Sequence, residues 1–276
     1  MTLAFEKWHG LGNDFIVVRD ASAFEVWQRI AVQACDRRYG VGADGVLLAD
    51  RDARSMRVIN RDGSRPEMCG NGLRCVVGSW MRAADAEVLR AEVLTDAGVL
   101  AVSGRSETPR SYQVETSLGV PKWGGAAVSV SGQSERLAST NSELRGDALG
   151  WLVSMGNPHW VHLSPSSTID AIGEQLAGDP RFTEGTNVEF VTQRAAGGYR
   201  VDVWERGCGR TMACGTGAAA SLAVLARSGA VAVDDWVPLE LPGGVLTGRL
   251  NSSGDVVLRG PAEWVFDGSL HEGFGE

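Results

Sequence analysis

The stretch EMCGNGLRC, residues 67–75, places a cysteine directly before a glycine-asparagine-glycine turn. The chain repeats the arrangement as MACGTGAAA, residues 212–220, again with the cysteine ahead of the glycines. Glycines let the backbone approach a ligand closely, and the first N–H groups of a helix have no intrahelical partner. We therefore interpret both stretches, called the cassettes below, as helix entrances that can bind an anion beside a thiol.

A longer internal repeat contains the two cassettes. Cys69 and Cys214 are 145 residues apart, and the asparagines of GNDF (12–15) and GNPH (156–159) are 144 residues apart. The glycines that end RVINRDG and VDVWERG are also 144 residues apart. Three short matches in the same order and at nearly one offset indicate two related halves.

The repeat divides the chain near the breaker-rich segment SLGVPKWGG, residues 117–125. We predict an N-terminal domain over residues 1–117, completed by residues 263–276, and a C-terminal domain over residues 118–262.

Hydrophobic spacing supplies the expected secondary structure. It predicts helices over residues 24–36, 70–84 and 215–228, and a further helix near 167–177. Short apolar or alternating runs predict strands at FIVVRD, GVLLAD, MRVIN, EVLTDAG, VLAVSG, WLVSMG, WVHL, NVEFVT, YRVDVWE and VVLRG. Each cassette therefore lies where a strand and a glycine turn lead into a helix, in a mixed α/β protein.

Composition excludes several classes of function. The net charge is −8 with no basic cluster, whereas binding to nucleic acid needs clustered Lys and Arg. No segment offers 18 consecutive apolar residues, and the N-terminus lacks the apolar core of a signal peptide, so we expect neither a membrane partner nor secretion. Five cysteines at irregular spacing argue against a disulfide framework and for a reducing cytoplasm.

A cysteine at a helix N-terminus is expected to ionise easily, because the positive end of the helix favours the thiolate. Two such sites on opposite sides of one bound carboxylate suit the inversion of an α-carbon. One thiolate removes the α-proton, and the opposite thiol returns a proton to the other face. The helix N–H groups would stabilise the charge that develops on the carboxylate.

Several different roles are possible for the cysteines. Cys35 and Cys75 fit buried structural positions, and Cys208 lies in a loop. Cys-x5-Cys spacing and only four histidines do not favour a metal site, and no Cys-x-x-Cys motif indicates a redox dithiol. Pyridoxal phosphate needs a Schiff-base lysine, but Lys7 and Lys122 both lie outside the cassettes.

At these residues the chain resembles the diaminopimelate epimerase family, cofactor-independent enzymes of lysine and peptidoglycan-precursor synthesis. The matching blocks run almost end to end: HGLGNDF, GVGADG, NRDGSRPEMCGNGLRC, SMGNPHW, NVEFV, ERGCGRTMACGTGAA and LPGG. The resemblance implies two pseudo-symmetric α/β domains, each a sheet wrapped round a central helix, with the active site between them. It also implies a cytoplasmic homodimer that acts on a small amino acid without cofactor or metal.

The resemblance further implies roles for individual residues. Cys69 and Cys214 would be the paired acid and base, and His159 and Glu205 would assist near the thiols. The implied contacts to the reacting centre are Asn13, Gly70, Asn71, Glu205, Gly215 and Thr216. The implied contacts to the distal end of the substrate are Asn60, Asn157, Asn187 and Arg206.

Two alternatives remain beside an epimerase of L,L- and meso-diaminopimelate. One is a racemase of the same superfamily that acts on proline, hydroxyproline or histidine. Relatives that act on proline and hydroxyproline resemble MCGHG, whereas this chain has MCGNG. The other is a binding or redox-sensing protein that uses the same cleft without catalysis.

Overall fold

A computed structural model describes residues 2–20, 23–131, 134–138, 149–163, 169–271 and 274. The chain forms two compact units, unit 1 with Met1–Thr116 and Arg259–Glu276, and unit 2 with Ser117–Leu258. The sequence-based division assigns residue 117 to the first domain and residues 259–262 to the second, so the two divisions differ there. In the described part of the chain, no helix is long and apolar enough to cross a membrane.

Unit 1 combines a sheet with α-helices. Its helices are α1 (Phe24–Cys35) and α2 (Gly70–Ala84). Its strands are β1 (Leu3–Gly10), β2 (Asn13–Val18), β3 (Gly45–Asp50), β4 (Ser55–Asn60), β5 (Val88–Thr95), β6 (Gly98–Thr108), β7 (Ser111–Ser117) and, from Arg259 onward, β17 (Val256–Leu270).

The strands of unit 1 pair in a closed series. β1–β2, β3–β4, β5–β6 and β6–β7 are antiparallel, whereas β2–β3 and β4–β5 are parallel. β17 pairs with β1 and also with β7, which joins the two ends of the series. A closed sheet leaves no unpaired edge within the series.

Helix α2 lies in the core of unit 1. Every residue from Asn71 to Met81 is buried, although a surface helix would bury only one face. Its apolar side chains pack with Trp8, Phe15 and Leu47 from the surrounding strands. The predicted arrangement of a sheet around a central helix is therefore present in this unit.

Unit 2 contains the remaining elements. Its helices are α3 (Ile169–Ala177) and α4 (Gly215–Arg227), preceded by a 3₁₀ turn (Gly125–Val128). Its strands are β8 (Lys122–Trp123), β9 (Arg136–Ala138), β10 (Leu149–Ser154), β11 (Pro158–Leu163), β12 (Asn187–Gln193), β13 (Tyr199–Glu205), β14 (Gly209–Arg210), β15 (Val237–Leu241) and β16 (Gly244–Leu250).

The pairing pattern of unit 2 repeats that of unit 1. β10–β11, β12–β13 and β15–β16 are antiparallel, and β11–β12 and β13–β15 are parallel. Helix α3 connects β11 to β12 as α1 connects β2 to β3, and α4 precedes β15 as α2 precedes β5. Helix α4 is buried from Gly217 to Leu225. The internal repeat inferred from short sequence matches is confirmed in the topology.

Sequence reasoning missed β1, β7, β15 and β16, and also the short strands β8, β9 and β14. In β1 the alternation is hidden because two consecutive polar residues, Glu6 and Lys7, are both buried. Glu6 accepts a hydrogen bond from Trp8 Nε1 at 2.8 Å, and Lys7 Nζ lies 2.6 Å from Asp14 Oδ2. These partners are contributed by the fold and leave no signature in the local pattern. The predicted residues 167 and 168 of α3 lie outside the described residues.

Replacement of Gly150 by alanine is expected to destabilise unit 2. An added Cβ would overlap the indole of Trp160, which is fixed because its Nε1 donates to Leu137 O at 2.9 Å. Overpacking of this kind costs about 1–3 kcal/mol. Urea denaturation would measure the loss, with Gly178→Ala at an exposed position as the control. An unchanged unfolding midpoint in Gly150→Ala would contradict this packing.

Candidate active site

Each cassette cysteine is the N-cap residue of a buried helix. Cys69 precedes α2, and its Sγ accepts a hydrogen bond from the Gly72 N–H at 3.4 Å. Cys214 precedes α4, and its Sγ accepts from the Gly217 N–H at 3.3 Å. The sulfur thus takes the place of the side-chain oxygen that usually caps a helix. Both thiols lie at a helix entrance, as the cassettes predict.

The glycines of the cassettes keep space open around the sulfurs. A Cβ added at Gly70 would meet no described atom within 4 Å, so this glycine leaves room for a ligand. A Cβ added at Gly217 would lie 2.8 Å from Glu189 Oε1 and 3.3 Å from Cys214 Sγ. The absence of a side chain at Gly217 therefore allows Glu189 to approach Cys214.

In unit 1 three candidate residues lie together. Asn13 Oδ1 accepts from Asn71 Nδ2 at 3.1 Å and from the Cys69 thiol at 3.9 Å. Asn13 Nδ2 donates to Asp44 Oδ2 at 2.8 Å, which fixes the orientation of the amide. Asp44 was not a candidate, although it lies in the matching block GVGADG.

A cluster of ion pairs holds Asp44, the residue that orients the amide of Asn13. Arg37 Nη2 bridges Asp14 Oδ1 at 2.6 Å and Asp44 Oδ1 at 2.8 Å. Burial raises the pKa of the Asp14 carboxyl, but hydrogen bonds from Arg37 and Lys7 outweigh it and the net pKa is lowered. Lys7, one of the two lysines, is thereby held in a buried ion pair.

Arg74 is a second residue that sequence reasoning missed. Its guanidinium is buried and donates to Asn71 Oδ1 at 2.7 Å and to Pro261 O at 3.1 Å. Burial lowers the pKa of this guanidinium, and the other groups that affect the pKa are the thiols of Cys75 and Cys69, which raise it. The available signal is that Arg74 is the one charged residue between Gly70 and Met81, a stretch of α2 that otherwise has no charge.

In unit 2 a continuous series of hydrogen bonds leads to the second thiol. His159 Nδ1 lies 2.7 Å from Glu189 Oε1, and His159 Nε2 lies 2.9 Å from Asn157 Oδ1. Asn157 Nδ2 donates to Thr216 Oγ1 at 3.2 Å, and Thr216 Oγ1 is 3.6 Å from Cys214 Sγ. His159, Asn157, Thr216 and Cys214 are sequence candidates, whereas Glu189 was missed although it stands in the block NVEFV.

The pKa of Cys214 is raised well above its usual range, so the expectation of an easily ionised thiol is wrong here. Burial is the largest cause, followed by the negative charges of Glu205 and Glu189. The hydrogen bonds from Thr216 and from the Gly217 N–H lower the pKa but do not compensate. Partial charges at a helix end are outweighed by burial and full carboxylate charges.

The remaining candidates of unit 2 are held by nearby groups. Thr211 Oγ1 donates to Glu205 Oε1. Asn187 donates its Nδ2 to Pro158 O at 3.1 Å and accepts from the Arg206 N–H at 2.9 Å, so its amide organises the main chain on both sides. The exposed Arg206 side chain donates to Glu184 O. Gly215 is the first residue of α4.

Asn60 and the three other cysteines complete the set of residues considered from the sequence. Asn60 ends β4 and donates its Nδ2 to Ser64 Oγ at 3.0 Å. Cys35 and Cys75 are buried, and burial raises the pKa of Cys35 to about 11, as structural positions require. Cys208 is exposed. Within the described residues, no group of three or more His, Cys, Asp or Glu is placed to hold a metal ion.

Sequence comparison identifies the relatives of this chain. The profile of the family described as diaminopimelate epimerase matches residues 5–123 and 151–265. Diaminopimelate epimerase of Synechococcus elongatus is 37% identical over 293 residues, which cover 98% of this chain and 99% of the relative. The enzyme of Microcystis aeruginosa is 38% identical over 284 residues, which cover 97% and 99%.

The chain belongs to the diaminopimelate epimerase family. It is therefore an isomerase of the racemase and epimerase type, as its sequence predicts.

Solved structures show the same fold. A predicted epimerase from Pseudomonas aeruginosa matches with a TM-score of 0.70 at 14% identity, over 98% of this chain and 99% of that chain. A hydroxyproline epimerase from Agrobacterium vitis, with bound trans-4-hydroxy-L-proline, matches with a TM-score of 0.66 at 16% identity, over 99% and 93%. The fold class expected for the diaminopimelate epimerase family, with two pseudo-symmetric α/β domains, is confirmed.

Replacement of Arg74 by methionine is expected to destabilise unit 1. The change removes the hydrogen bonds that Arg74 donates to the buried Asn71 Oδ1 and to the half-buried Pro261 O. Each unsatisfied acceptor costs about 1–3 kcal/mol. Urea denaturation of Arg74→Met, compared with Arg57→Met at an exposed position of β4, would measure this loss. Equal stability of the two variants would show that the buried contacts of Arg74 contribute nothing.

Proposed function

We propose that this protein interconverts L,L- and meso-diaminopimelate without a cofactor, with Cys69 and Cys214 alternating as acid and base. In cells this reaction would serve lysine and peptidoglycan-precursor synthesis. Family membership supports the substrate. The observation that carries the mechanism is that both cysteines cap a buried helix through the same hydrogen bond, from the N–H three residues ahead.

The proposed reaction moves one proton off the α-carbon and one proton onto it. The thiolate takes the α-proton and becomes a thiol, and the electron pair of the C–H bond passes into the substrate carboxylate. The opposite thiol then donates its proton to the other face of the α-carbon and becomes a thiolate. Donors at the helix N-termini would stabilise the intermediate charge, which is usually a large term in catalysis.

Roles in unit 1 follow from the contacts around Cys69. Asn13 is hydrogen-bonded both to Asn71 and to the Cys69 thiol, so the two asparagines are placed to orient a carboxylate beside Cys69. Gly70 provides an unobstructed surface next to the helix N–H groups. We assign these three residues to the reacting end of the substrate.

Roles in unit 2 follow from the contacts around Cys214. Asn157 and Thr216 form the hydrogen bonds that reach the sulfur, and His159 lies behind them. Glu205 raises the pKa of Cys214 by its charge. We assign His159 and Glu205 to control of the protonation of this thiol, and we place Gly215 and Thr216 at the reacting carboxylate.

The distal end of the substrate is assigned to Asn60, Asn157, Asn187 and Arg206. Asn187 would act through the main chain that it organises, because both polar atoms of its amide are used there. Arg206 has five N–H donors in a planar fork, which suits a second carboxylate. Such a set favours a substrate with two amino-acid ends over proline.

A reducing cytoplasm and a homodimer complete the proposal. Among the described residues no cysteine forms a disulfide, which supports a reducing location. The homodimer rests on the resemblance to the family alone, and sedimentation equilibrium would test it.

Proton NMR in D₂O would test the reaction directly. The reduced protein with L,L-diaminopimelate, and with no metal or pyridoxal phosphate added, is expected to exchange the α-proton for deuterium and to form the meso isomer. Cys69→Ser and Cys214→Ser should each lose about 10²–10⁴-fold in rate, the usual contribution of a positioned acid or base. Cys208→Ser, at an exposed cysteine outside the proposed machinery, should remain active.

Two results would contradict the proposal. Absence of exchange from folded, reduced protein would reject diaminopimelate as the substrate, and proline, hydroxyproline and histidine would be tested next. Full exchange by either serine variant would reject the two-thiol mechanism, even with the substrate confirmed.

A further inference from the structure

Glu189 is a buried acid to which the proposed reaction assigns no role. It is the third residue of β12, and both its side chain and that of His159 are fully buried. Its Oε1 lies 2.7 Å from His159 Nδ1, whereas its buried Oε2 has no hydrogen-bond partner in the described part of the chain. A fully ionised carboxylate is strongly disfavoured with one oxygen unsolvated, so this carboxyl is suited to hold or share a proton.

The internal repeat supplies a comparison for this pair. His159 of β11 pairs with Asn187, the first residue of β12. At the equivalent place in unit 1, Phe15 of β2 pairs with Gly45, the first residue of β3, so Phe15 is the counterpart of His159. The third residue of β3, matching Glu189 of β12, is Leu47.

Unit 1 therefore has apolar side chains where unit 2 has the ionisable pair. Phe15 and Leu47 are both buried in the core around α2. A buried ion pair can often be replaced by apolar residues without loss of stability. The fold thus accepts an apolar pair at these positions, and stability does not explain His159 and Glu189.

The hydrogen bonds beyond His159 have a definite direction. Asn157 uses its Nδ2 to donate to Thr216, so its Oδ1 faces His159 Nε2 and that nitrogen carries a proton. Thr216 Oγ1 accepts from Asn157, which leaves its O–H to donate toward Cys214 Sγ. From the imidazole onward, every donor points toward the sulfur.

We propose that Glu189 is a positioning residue for Cys214, acting through a single proton that it shares with His159 Nδ1. This inference rests on the proposed role of Cys214 as an acid and base. Since Nε2 already carries its proton, the Nδ1–Oε1 hydrogen bond contains the only other proton of the pair. The pair is therefore neutral whether that proton lies on His159 or on Glu189.

The position of the shared proton follows the state of the thiol. While Cys214 is protonated, the proton can lie on His159 Nδ1 and leave the carboxylate ionised. When Cys214 gives its proton to the substrate, the shared proton moves to Glu189 Oε1, so that no second negative charge remains near the sulfur. His159 keeps its Nε2 proton throughout and continues to donate to Asn157. No proton is gained or lost by the pair.

Other titratable groups also face this carboxyl. They are His159 on β11, Glu205 at the end of β13 and Cys214 before α4. Burial raises the pKa of Glu189, His159 lowers it, and Glu205 raises it further, so the carboxyl is shifted toward its protonated form. The charge of Glu189 in turn opposes the ionisation of Cys214.

The pH dependence of Cys214 alkylation would test the proposal without any substrate. The full-length protein would be treated with iodoacetamide from neutral pH up to the highest pH at which it stays folded, because the thiolate is the form that reacts. The Cys214 and Cys69 peptides would then be quantified by mass spectrometry. Glu189→Gln can still donate an amide N–H to His159 Nδ1 but cannot become negative. Its Cys214 inflection is expected about one pH unit lower than in the wild type, because no carboxylate then faces the sulfur and no proton has to move to Glu189 when the thiol ionises.

Two controls make the result specific. The Cys69 inflection in the same samples should not move, because unit 1 is unchanged. Glu174→Gln, at an exposed acid of α3, should leave the Cys214 inflection in place. An unshifted Cys214 inflection in folded Glu189→Gln, or an equal shift at Cys69, would overturn the proposal.

Two further measurements test the proposal in other ways. One uses the wild-type protein, so that it does not depend on the folding of a variant. ¹⁵N NMR of the wild-type protein, with the His159 resonances assigned by their loss in His159→Phe, is expected to show protonated Nε2. An unprotonated Nε2 would overturn the proposal.

The double variant His159→Phe/Glu189→Leu, which has the apolar side chains of unit 1 at these positions, should fold with wild-type stability and lose exchange. Full exchange by this variant would equally overturn the proposal. Normal wild-type exchange with an unshifted Glu189→Gln titration rejects this inference alone, whereas absent exchange rejects the proposed function.

Discussion

A hydrogen bond from a helix N–H to a cysteine sulfur holds each of the two cassette thiols in place. Sulfur is a weak acceptor, and serine, threonine, aspartate or asparagine would cap these helices better. Cysteine at both caps is therefore not explained by helix stability. The bond fixes the thiol against the first turn of a helix that is buried along most of its length. The hydrogen bond therefore sets the position of the sulfur relative to the core of its unit.

The same cap has different surroundings in the two units. Cys69 lies against the carbonyl oxygen of Asn13, which is oriented by Asp44. Cys214 lies near the carboxyls of Glu205 and Glu189, and burial together with these charges raises its pKa. The helix end contributes only about half a unit charge. The repeat thus reproduces the geometry of the thiol, while side chains outside the cassettes determine its protonation.

The sequence predicts local features well and tertiary partners poorly. The glycine turns and the offset between Cys69 and Cys214 predicted both central helices, because these signals are contained within a few consecutive residues. The error about Cys214 arose because the helix end is visible in the cassette, whereas the burial of the thiol and the approach of Glu205 and Glu189 come from the packing of α4 against β13 and β12. Arg74 was missed for a similar reason, since its partner Pro261 is 187 residues away.

The third residue of each central helix shows how one backbone supports two chemical environments. A Cβ at Gly72 would lie 2.8 Å from Leu47 Cδ2, and a Cβ at Gly217 would lie 2.8 Å from Glu189 Oε1. Both glycines allow the third residue of a neighbouring strand to approach the capped thiol. In unit 1 that residue is apolar, and in unit 2 it is an acid. Because the close approach is the same in both units, the side chain on the strand, and not the backbone, decides whether an acid or an apolar group lies beside the thiol.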